Sequence, residues 1–233
     1  MRQVIHAITT QEQRVKIAKT FQNIKSKIHS PAKSKSKIKK TLDYFEKPYR
    51  LHLGCGNVGI KDFCNVDIME TTDVDIEDDI RTLGKFPNES AKEIYACHVL
   101  EHFSHDEIVP ILKRWNEILI PGGIIRISVP DLDRIVKIYA DNPEHFNTPG
   151  HSPWIGLIYG GQSTPYDYHK TGFNFCWLKY ILEQCNFERC QEYPHVPHFV
   201  PGVIDASVAK EPFGVYFSLN MMAIKPIRRE PVS

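Results

Sequence analysis

The sequence predicts a protein of the α/β class, built on a mainly parallel sheet with helices packed against it. From Tyr49 onwards, short apolar runs alternate with segments of helical periodicity, which is typical of parallel strands joined by helices. The run Ile124–Val129 has little polar interruption, as expected of a strand covered on both faces. The 233 residues are 42% hydrophobic and 24% charged, which fits one folded domain and excludes a disordered or fibrous chain.

The predicted elements follow one another in a regular order. A capping box of Ser104 and Glu107 begins a helix, which ends at Pro121-Gly122-Gly123. Asp131 and Asp133 are interpreted as capping residues of a helix over Asp131–Tyr139. A further helix is predicted at Phe175–Cys185, and the predicted strands are Arg50–Leu53, Asn65–Ile68, Glu93–Cys97, Ile124–Val129, Phe187–Tyr193 and Val215–Lys225.

A basic arm, residues 1–48, precedes the domain, which is assigned to residues 49–233. Residues 1–50 hold 13 Lys and Arg against 3 Asp and Glu, whereas the whole chain has a net charge of only +1. The arm is predicted to contain an amphipathic helix from about Thr10 to His29 and a short second helix ending before Pro48. Such an arm fits weak contact with an anionic membrane surface, an acidic partner or a solvated helix over the domain, and the sequence leaves these open. A nucleic-acid partner is ranked low because no aromatic–basic motif accompanies the lysines.

The six cysteines indicate a reducing compartment. They include no CxxC pair, and the N-terminus carries no secretory apolar segment. No run approaches the ~20 apolar residues that a membrane span needs. We therefore expect a cytoplasmic protein.

A glycine-rich loop, Gly54-Cys55-Gly56-Asn57-Val58-Gly59, follows the first predicted strand directly. Glycines of this kind let the backbone approach either a dinucleotide pyrophosphate or the smaller nucleoside of S-adenosylmethionine. A dinucleotide site requires a full helix after the third glycine. Only Ile60–Cys64 separate Gly59 from the next strand, which argues against NAD or FAD.

Five motifs occur in order within residues 49–226: Leu51–Gly56 (LHLGCG), Asn65–Ile68 (NVDI), Asp79, Ile94–His102 (IYACHVLEH) and Leu119–Gly123 (LIPGG). Together they resemble the class I S-adenosylmethionine-dependent methyltransferases, and more narrowly a subgroup associated with cell-surface polysaccharide synthesis. The segments Tyr166–Phe173 and Leu219–Ala223 resemble that subgroup as well. The resemblance implies a Rossmann-like fold, with a seven-stranded, mostly parallel sheet, helices on both faces and an antiparallel last strand.

The resemblance also implies the residues that would bind S-adenosylmethionine. Gly54 and Gly56 would pass beneath the methionine and ribose, Asp67 would hold the ribose hydroxyls, and Asp79 would accept from the adenine amine. His98 would face the methionine end and the acceptor. The full set of implied cofactor-binding residues is Leu53, Gly54, Cys55, Gly56, Asp67, Ile68, Asp79, Ile80 and His98.

His98 and His169 are the two candidate catalytic residues. Methyl transfer to a hydroxyl or amine requires loss of a proton, and histidine accepts protons near neutral pH. His98-Val99-Leu100-Glu101-His102 also matches the HxxEH zinc motif. However, a strand is predicted to run directly into His98 and a capping box follows His102, so the pair is expected to span a turn. His102 is interpreted as a residue that fixes this loop, and we expect no metal.

The sequence therefore predicts methyl transfer from S-adenosylmethionine to a hydroxyl or amine of a glycan or small molecule. Three alternatives stay open at this point: an NAD(P)-dependent oxidoreductase, a zinc hydrolase and a non-catalytic S-adenosylmethionine-binding module.

Overall fold

The computed structural model describes residues 40–141, 153–210 and 214–227. Seven strands form one sheet in the order β3-β2-β1-β4-β5-β7-β6, and only β7 runs antiparallel to its neighbours. The strands are β1 (Tyr49–Leu53), β2 (Cys64–Asp67), β3 (Ile76–Glu77), β4 (Ala91–Cys97), β5 (Leu119–Pro130), β6 (Glu188–Glu192) and β7 (Ser218–Ile224). The predicted seven-stranded, mostly parallel α/β sheet with an antiparallel last strand is confirmed.

Four helices accompany the sheet in the described ranges: α1 (His105–Ile118), α2 (Leu132–Asp141), α3 (Pro153–Tyr159) and α4 (Phe175–Gln184). The predicted capping box begins α1, since the Glu107 carboxylate accepts from the Ser104 backbone N–H at 3.0 Å. Asp131 caps α2 by accepting from the backbone N–H of Asp133 at 3.1 Å, as the sequence predicts. None of these helices is long and apolar enough to cross a membrane.

The main core lies between the sheet and the buried stripe of α1. Trp115 is fully buried there, together with Ile108 and Leu112 of the same helix and Leu51 and Ile94 of the central strands. These positions recur at helical spacing on α1, which explains why the sequence pattern predicts the helix correctly. The opposite side of β4 carries Tyr95, which packs with Phe63 and with the loop around Phe199.

Two predicted boundaries are wrong, and one strand was not predicted. Strand β5 begins at Leu119, directly after α1, so Pro121-Gly122-Gly123 lies inside the strand and the register against β4 shifts at this point. Strand β3 was not predicted, because a strand of two residues has no periodicity to detect. The predicted strand Val215–Lys225 is shorter in the structure, beginning at Ser218.

The described chain begins with a short segment that packs on the domain. Leu42 and Phe45 contact the main core, and the Lys40 ammonium lies 3.0 Å from the buried Asp75 carboxylate. The short helix predicted before Pro48 is a single 3-10 turn, Leu42–Tyr44. The predicted amphipathic helix at Thr10–His29 lies outside the described residues.

Candidate functional site

A cavity of about 330 Å³ opens at the carboxyl ends of β1, β2 and β4. This volume is within the range of small-molecule sites, and the carboxyl edge beside a change of strand order is where open α/β sheets bind ligands. Its walls come from the first half of the domain and from the loop before α4. The lining residues are Gly54, Asp67, Ile68, Met69, Asp79, Ile80, Arg81, His98, Val99, His102, Phe103, Glu107, Pro165, Tyr166 and Lys170.

The glycine loop is formed by close backbone contacts. Gly54 has φ +64°, and a β-carbon there would lie 2.5 Å from a methyl carbon of Val99. Its N–H donates to the Val66 carbonyl at 2.8 Å, which ties the loop to β2. Gly56 also has positive φ, but a β-carbon on it would meet no atom within 4 Å. Both glycines therefore hold a left-handed backbone, and only Gly54 is also required by packing.

Asp67 lies at the carboxyl end of β2, facing this loop. One carboxylate oxygen accepts from the Gly56 N–H at 2.8 Å, and the other accepts from the Met69 N–H at 2.8 Å. The hydroxyl of Thr71 donates to the Gly56 carbonyl at 2.5 Å and holds the same turn. Each carboxylate oxygen accepts up to two hydrogen bonds, so Asp67 has capacity for ligand hydroxyls while it fixes the loop.

Asp79 and Ile80 form another wall of the cavity. Arg81 pairs with the Asp79 carboxylate at 2.6 Å, and this hydrogen-bonded pair lowers the pKa of Asp79. The indole N–H of Trp115 donates to the Ile80 carbonyl at 2.7 Å, so the buried centre of α1 positions this wall. The Arg81 pairing was not predicted, because its only sequence signal is a neighbouring arginine.

Three further residues of the implied cofactor set occupy different positions. Ile68 lines the cavity with its side chain partly exposed. Leu53 and Cys55 are buried beneath the loop and do not line the cavity, and burial raises the pKa of the Cys55 thiol. Leu53 and Cys55 therefore support the loop from below.

His98 follows β4 in a left-handed conformation, with φ +53°. The Ser218 hydroxyl donates to the Ala206 carbonyl at 2.8 Å and therefore accepts from Nε2 of His98, also at 2.8 Å. This arrangement leaves the lone pair on Nδ1, which lies 3.4 Å from a carboxylate oxygen of Glu101. Burial, with His169 close by, lowers the pKa of His98 to about 3, so the ring is neutral at pH 7.

Glu101 is the site residue that the sequence analysis did not single out. Its side chain is 1% exposed, and neither carboxylate oxygen has a hydrogen-bond partner among the described residues. Burial raises its pKa to about 8. Its backbone carbonyl accepts from the N–H groups of Lys170 and Thr171, which joins this residue to the loop before α4. Its sequence signal is the HxxEH pattern, which by itself indicates only a zinc motif.

His169 lies behind the cavity wall rather than on it. Its Nδ1 hydrogen-bonds to the Leu157 carbonyl at 3.0 Å, and its Nε2 lies 3.9 Å from a carboxylate oxygen of Glu101. His102 lines the cavity, and its ring packs edge to face on His169 with centroids 4.9 Å apart. Nδ1 of His102 lies 3.2 Å from the Tyr168 carbonyl, which fixes the loop as predicted. We refer to His98, Glu101, His102 and His169 as the histidine–glutamate cluster.

The cluster does not have the geometry of the zinc-binding helix that HxxEH motifs form. His98 stands in a left-handed turn, and only Leu100–His102 forms a 3-10 turn, so His98 and His102 do not occupy successive turns of an α-helix. The expectation that the pair spans a turn is confirmed. Residues 57–63 contain no helix, so the crossover that a dinucleotide site needs is absent from this link.

The loop before α4 is held in place by Asp167. Its carboxylate accepts from the backbone N–H and hydroxyl of Ser163, at 3.2 and 2.7 Å, and from the Gly161 N–H at 3.3 Å. A β-carbon on Gly160 would lie 2.2 Å from the Asp167 carbonyl oxygen, so this close crossing requires glycine. Tyr166 and Lys170 on the same loop therefore have a defined position at the cavity mouth.

The observed residues fit S-adenosylmethionine. The Gly54 turn presents bare backbone to the cavity, and Asp67 lines the same cavity with carboxylate oxygens that ribose hydroxyls could donate to. Apolar Ile68, Met69 and Ile80 would supply surface for an adenine ring. His98 lines the cavity as well.

No protein-family model and no curated protein matches the chain. Similar solved structures were found, and they share this fold. Among solved structures, the chain resembles the 1,6-didemethyltoxoflavin-N1-methyltransferase of Burkholderia thailandensis, with a TM-score of 0.50 and 14% identity over 96% of this chain and 93% of that one. That structure contains bound 1,6-didemethyltoxoflavin and S-adenosylhomocysteine.

Two further similar structures are more distant in shape. A SAM dependent methyltransferase from Archaeoglobus fulgidus gives a TM-score of 0.45 and 16% identity over 76% of this chain and 85% of that one. The CurJ carbon methyltransferase gives 0.44 and 16% over 90% of this chain, which spans 55% of the CurJ chain. At these identities the likeness concerns the fold, and the fold of this chain is that of the class I methyltransferases.

Proposed function

We propose that this protein is an S-adenosylmethionine-dependent methyltransferase that acts on a hydroxyl, or less favourably an amine, of a small-molecule or glycan acceptor. The observation that carries the proposal is the one cavity that Gly54, Asp67, Asp79 and His98 line together, at the carboxyl ends of β1, β2 and β4. These are the residues that the family resemblance assigns to cofactor binding. The structural neighbour from Burkholderia, which contains S-adenosylhomocysteine, supports the same choice of cofactor.

In this proposal each wall binds one part of the cofactor. Asp67 accepts from the ribose hydroxyls while its bonds to the Gly56 and Met69 N–H groups keep the carboxylate in place. Ile68 and Ile80 contact the adenine, and Asp79 accepts from its amine. Because Arg81 already pairs with Asp79, the arginine holds that carboxylate ionised and orients it.

When bound, the cofactor supplies a methyl group on a cationic sulfur and leaves as S-adenosylhomocysteine, with the electron pair of the broken C–S bond on sulfur. The protein aligns the acceptor oxygen with that methyl group and receives the hydroxyl proton. We assign the proton-accepting role to His98, which lines the cavity and keeps a lone pair on Nδ1. His169, the other candidate of the sequence analysis, lies behind the wall with its Nε2 on the side of Glu101.

The acceptor class is inferred from the loop before α4. Tyr166 and Tyr168 expose much of their rings, and Tyr166 lines the cavity beside Lys170. Exposed aromatic faces stack on sugar rings or planar heterocycles. The neighbour from Burkholderia contains a planar heterocycle, 1,6-didemethyltoxoflavin, which fits the small-molecule alternative.

Calorimetric titration of the purified chain with S-adenosylmethionine, S-adenosylhomocysteine and NADH tests the cofactor assignment. We expect saturable binding of the two adenosyl compounds only. Asp67→Asn should weaken that binding at least ~10-fold, because a hydrogen bond to a charged group contributes ~1.5–3 kcal/mol. The control is Asp62→Asn, an exposed acid near the same loop whose positive φ asparagine also accepts. Binding of NADH alone, or equal affinities for both variants, would contradict the proposal.

Conversion is tested by incubation with S-adenosylmethionine and a panel of hydroxyl and amine acceptors, with S-adenosylhomocysteine as the measured product. Methyl transfer to at least one acceptor supports the enzyme. Tight cofactor binding without product from any acceptor class would favour the non-catalytic binding module instead.

A further inference from the structure

The histidine–glutamate cluster contains a buried carboxylate with no hydrogen-bond donor. Glu101 is 1% exposed, and both its oxygens are unpartnered among the described residues. The ionised form of a carboxylate in this condition is costly, because burial removes its hydration without replacing it. A positive group at the cluster would remove that cost.

The surrounding histidines do not supply this positive group. Nδ1 of His169 is 3.0 Å from the Leu157 carbonyl, so it carries the ring proton and leaves the lone pair on Nε2, on the side of Glu101. The Ser218 hydroxyl fixes the opposite tautomer on His98, whose Nδ1 lone pair lies 3.4 Å from the same carboxylate. When Glu101 is ionised, lone pairs of two rings therefore converge on an oxygen that has only lone pairs of its own.

This is the arrangement of outer partners that orients metal-binding histidines. A ligating imidazole usually donates its second N–H to a carbonyl or carboxylate, which fixes the tautomer. His169 has such a carbonyl partner, and His102 lies against the Tyr168 carbonyl in the same way. One ligand atom from each of Glu101, His102 and His169 lies within 4.8 Å of the others.

We propose that the histidine–glutamate cluster binds one divalent first-row transition-metal ion, with Glu101, His102 and His169 as ligands and His98 beside them. Two imidazoles and one carboxylate form a set that suits Zn²⁺, leaving a further coordination position for an exogenous oxygen. This differs from the sequence-based expectation of no metal. The sequence motif paired His98 with His102, whereas the structure brings in His169 from a loop 67 residues after His102.

The open coordination position would face the proposed acceptor site. His102 and His98 line the cavity, while Glu101 and His169 lie behind them. An ion held there would contact a hydroxyl oxygen of the acceptor and fix its position. This role for the metal rests on the proposed function, but metal binding itself does not.

Metal binding is tested on the full chain after treatment with a chelator and removal of the chelator. Calorimetric titration with ZnCl₂ should show one ion bound per chain. His169→Ala and Glu101→Gln should each weaken that binding by at least ~10-fold, since loss of even an outer partner costs ~10–100-fold. The control is His105→Ala, which removes an exposed histidine at the start of α1 and should leave the affinity unchanged.

Two outcomes would overturn the inference: no stoichiometric binding of Zn²⁺ by the unmodified chain, or equal weakening by His105→Ala and His169→Ala. Thermal melting of each variant checks that it is folded, and Glu101→Gln provides a second test if His169→Ala does not fold. Titration of the same metal-free sample with S-adenosylhomocysteine separates the two proposals. Cofactor binding without Zn²⁺ binding refutes the metal site alone, and Zn²⁺ binding without cofactor binding refutes the proposed function alone.

Discussion

A β-carbon on Gly54 would lie 2.5 Å from a methyl carbon of Val99, so the turn after β1 packs directly against the residue that follows His98. The glycine loop is thus packed against the segment that begins the histidine–glutamate cluster. A larger side chain at Gly54 would displace Val99 and, with it, the neighbouring His98.

Gly54→Ala should destabilise the fold by about 2–5 kcal/mol. Overpacking against Val99 costs ~1–3 kcal/mol, and the left-handed backbone costs ~1–2 kcal/mol more for alanine. Gly56→Ala is the control, because it has the same backbone strain and no neighbour within 4 Å. Urea unfolding of both variants measures the difference, and equal losses would show that packing against Val99 contributes nothing.

His52 should make the protein less stable in mild acid. Burial lowers its pKa from 6.5, while the bond to Asn65 and the charges of Asp205 and Asp67 oppose this more weakly. The unfolded chain takes up a proton below pH 6.5 that the folded chain does not, so this contribution to stability is lost as the pH falls.

The His52→Phe variant tests this titration, since phenylalanine keeps a ring beside Tyr95 and removes the titrating group. Its deficit relative to the unmodified protein in urea unfolding should shrink between pH 7.5 and pH 5.5, by at most ~1.4 kcal/mol. His105→Gln serves as the exposed control. A deficit that stays constant across this range would contradict the assignment.

Glu93 should contribute more to stability than the surface ion pairs do. It accepts from Arg50 at 2.6 Å and from Arg126, whose guanidinium lies over the Phe199 ring. Glu93→Gln leaves two partly buried arginines without their carboxylate, and we expect a loss of about 2–3 kcal/mol in urea unfolding. Asp141→Asn, which breaks an exposed pair with Lys137, should cost under ~0.5 kcal/mol, and a similar loss from both variants would refute the ranking.

Cys176 should be the one thiol of the native protein that reacts promptly with a disulfide reagent at pH 8. All six cysteines are free, and among them only Cys176 is exposed to solvent. Burial raises the pKa of Cys64 to about 12 and that of Cys185 to about 11, which suppresses their thiolates as well as their access. Cys176→Ser should abolish the prompt reaction, while denaturant should release the rest. More than one fast thiol in the native protein would contradict the fold around these residues.

Local sequence signals predicted the elements that local interactions determine. The Ser104–Glu107 capping box, the Asp131 cap and the turn at Gly54 each depend on residues a few positions apart, and each was confirmed. The absence of a helix in residues 57–63 followed from length alone. Such a signal also led to Asp67 at the end of β2, whereas Asp79 was implied only by the family resemblance. Both residues line one cavity.

The histidine–glutamate cluster could not be derived in this way. Glu101 and His169 are 68 positions apart, and they meet because the Glu101 carbonyl accepts from the Lys170 N–H at 2.7 Å. Backbone hydrogen bonds of this kind can be made by almost any residue type, so the sequence gives no signal of them. Strand β3 was not predicted because its two residues are too few to show a period.

The loop before α4 meets the cavity from outside the sheet, held by Asp167 and by its bonds to Glu101. Residues proposed to contact the cofactor come from positions 54–98, whereas Tyr166 and Lys170 come from this later loop. Under the proposed function, the two parts of the pocket can therefore change independently. Substitutions in the loop would alter which compound is methylated, while the strand ends proposed to hold the methyl donor stay the same.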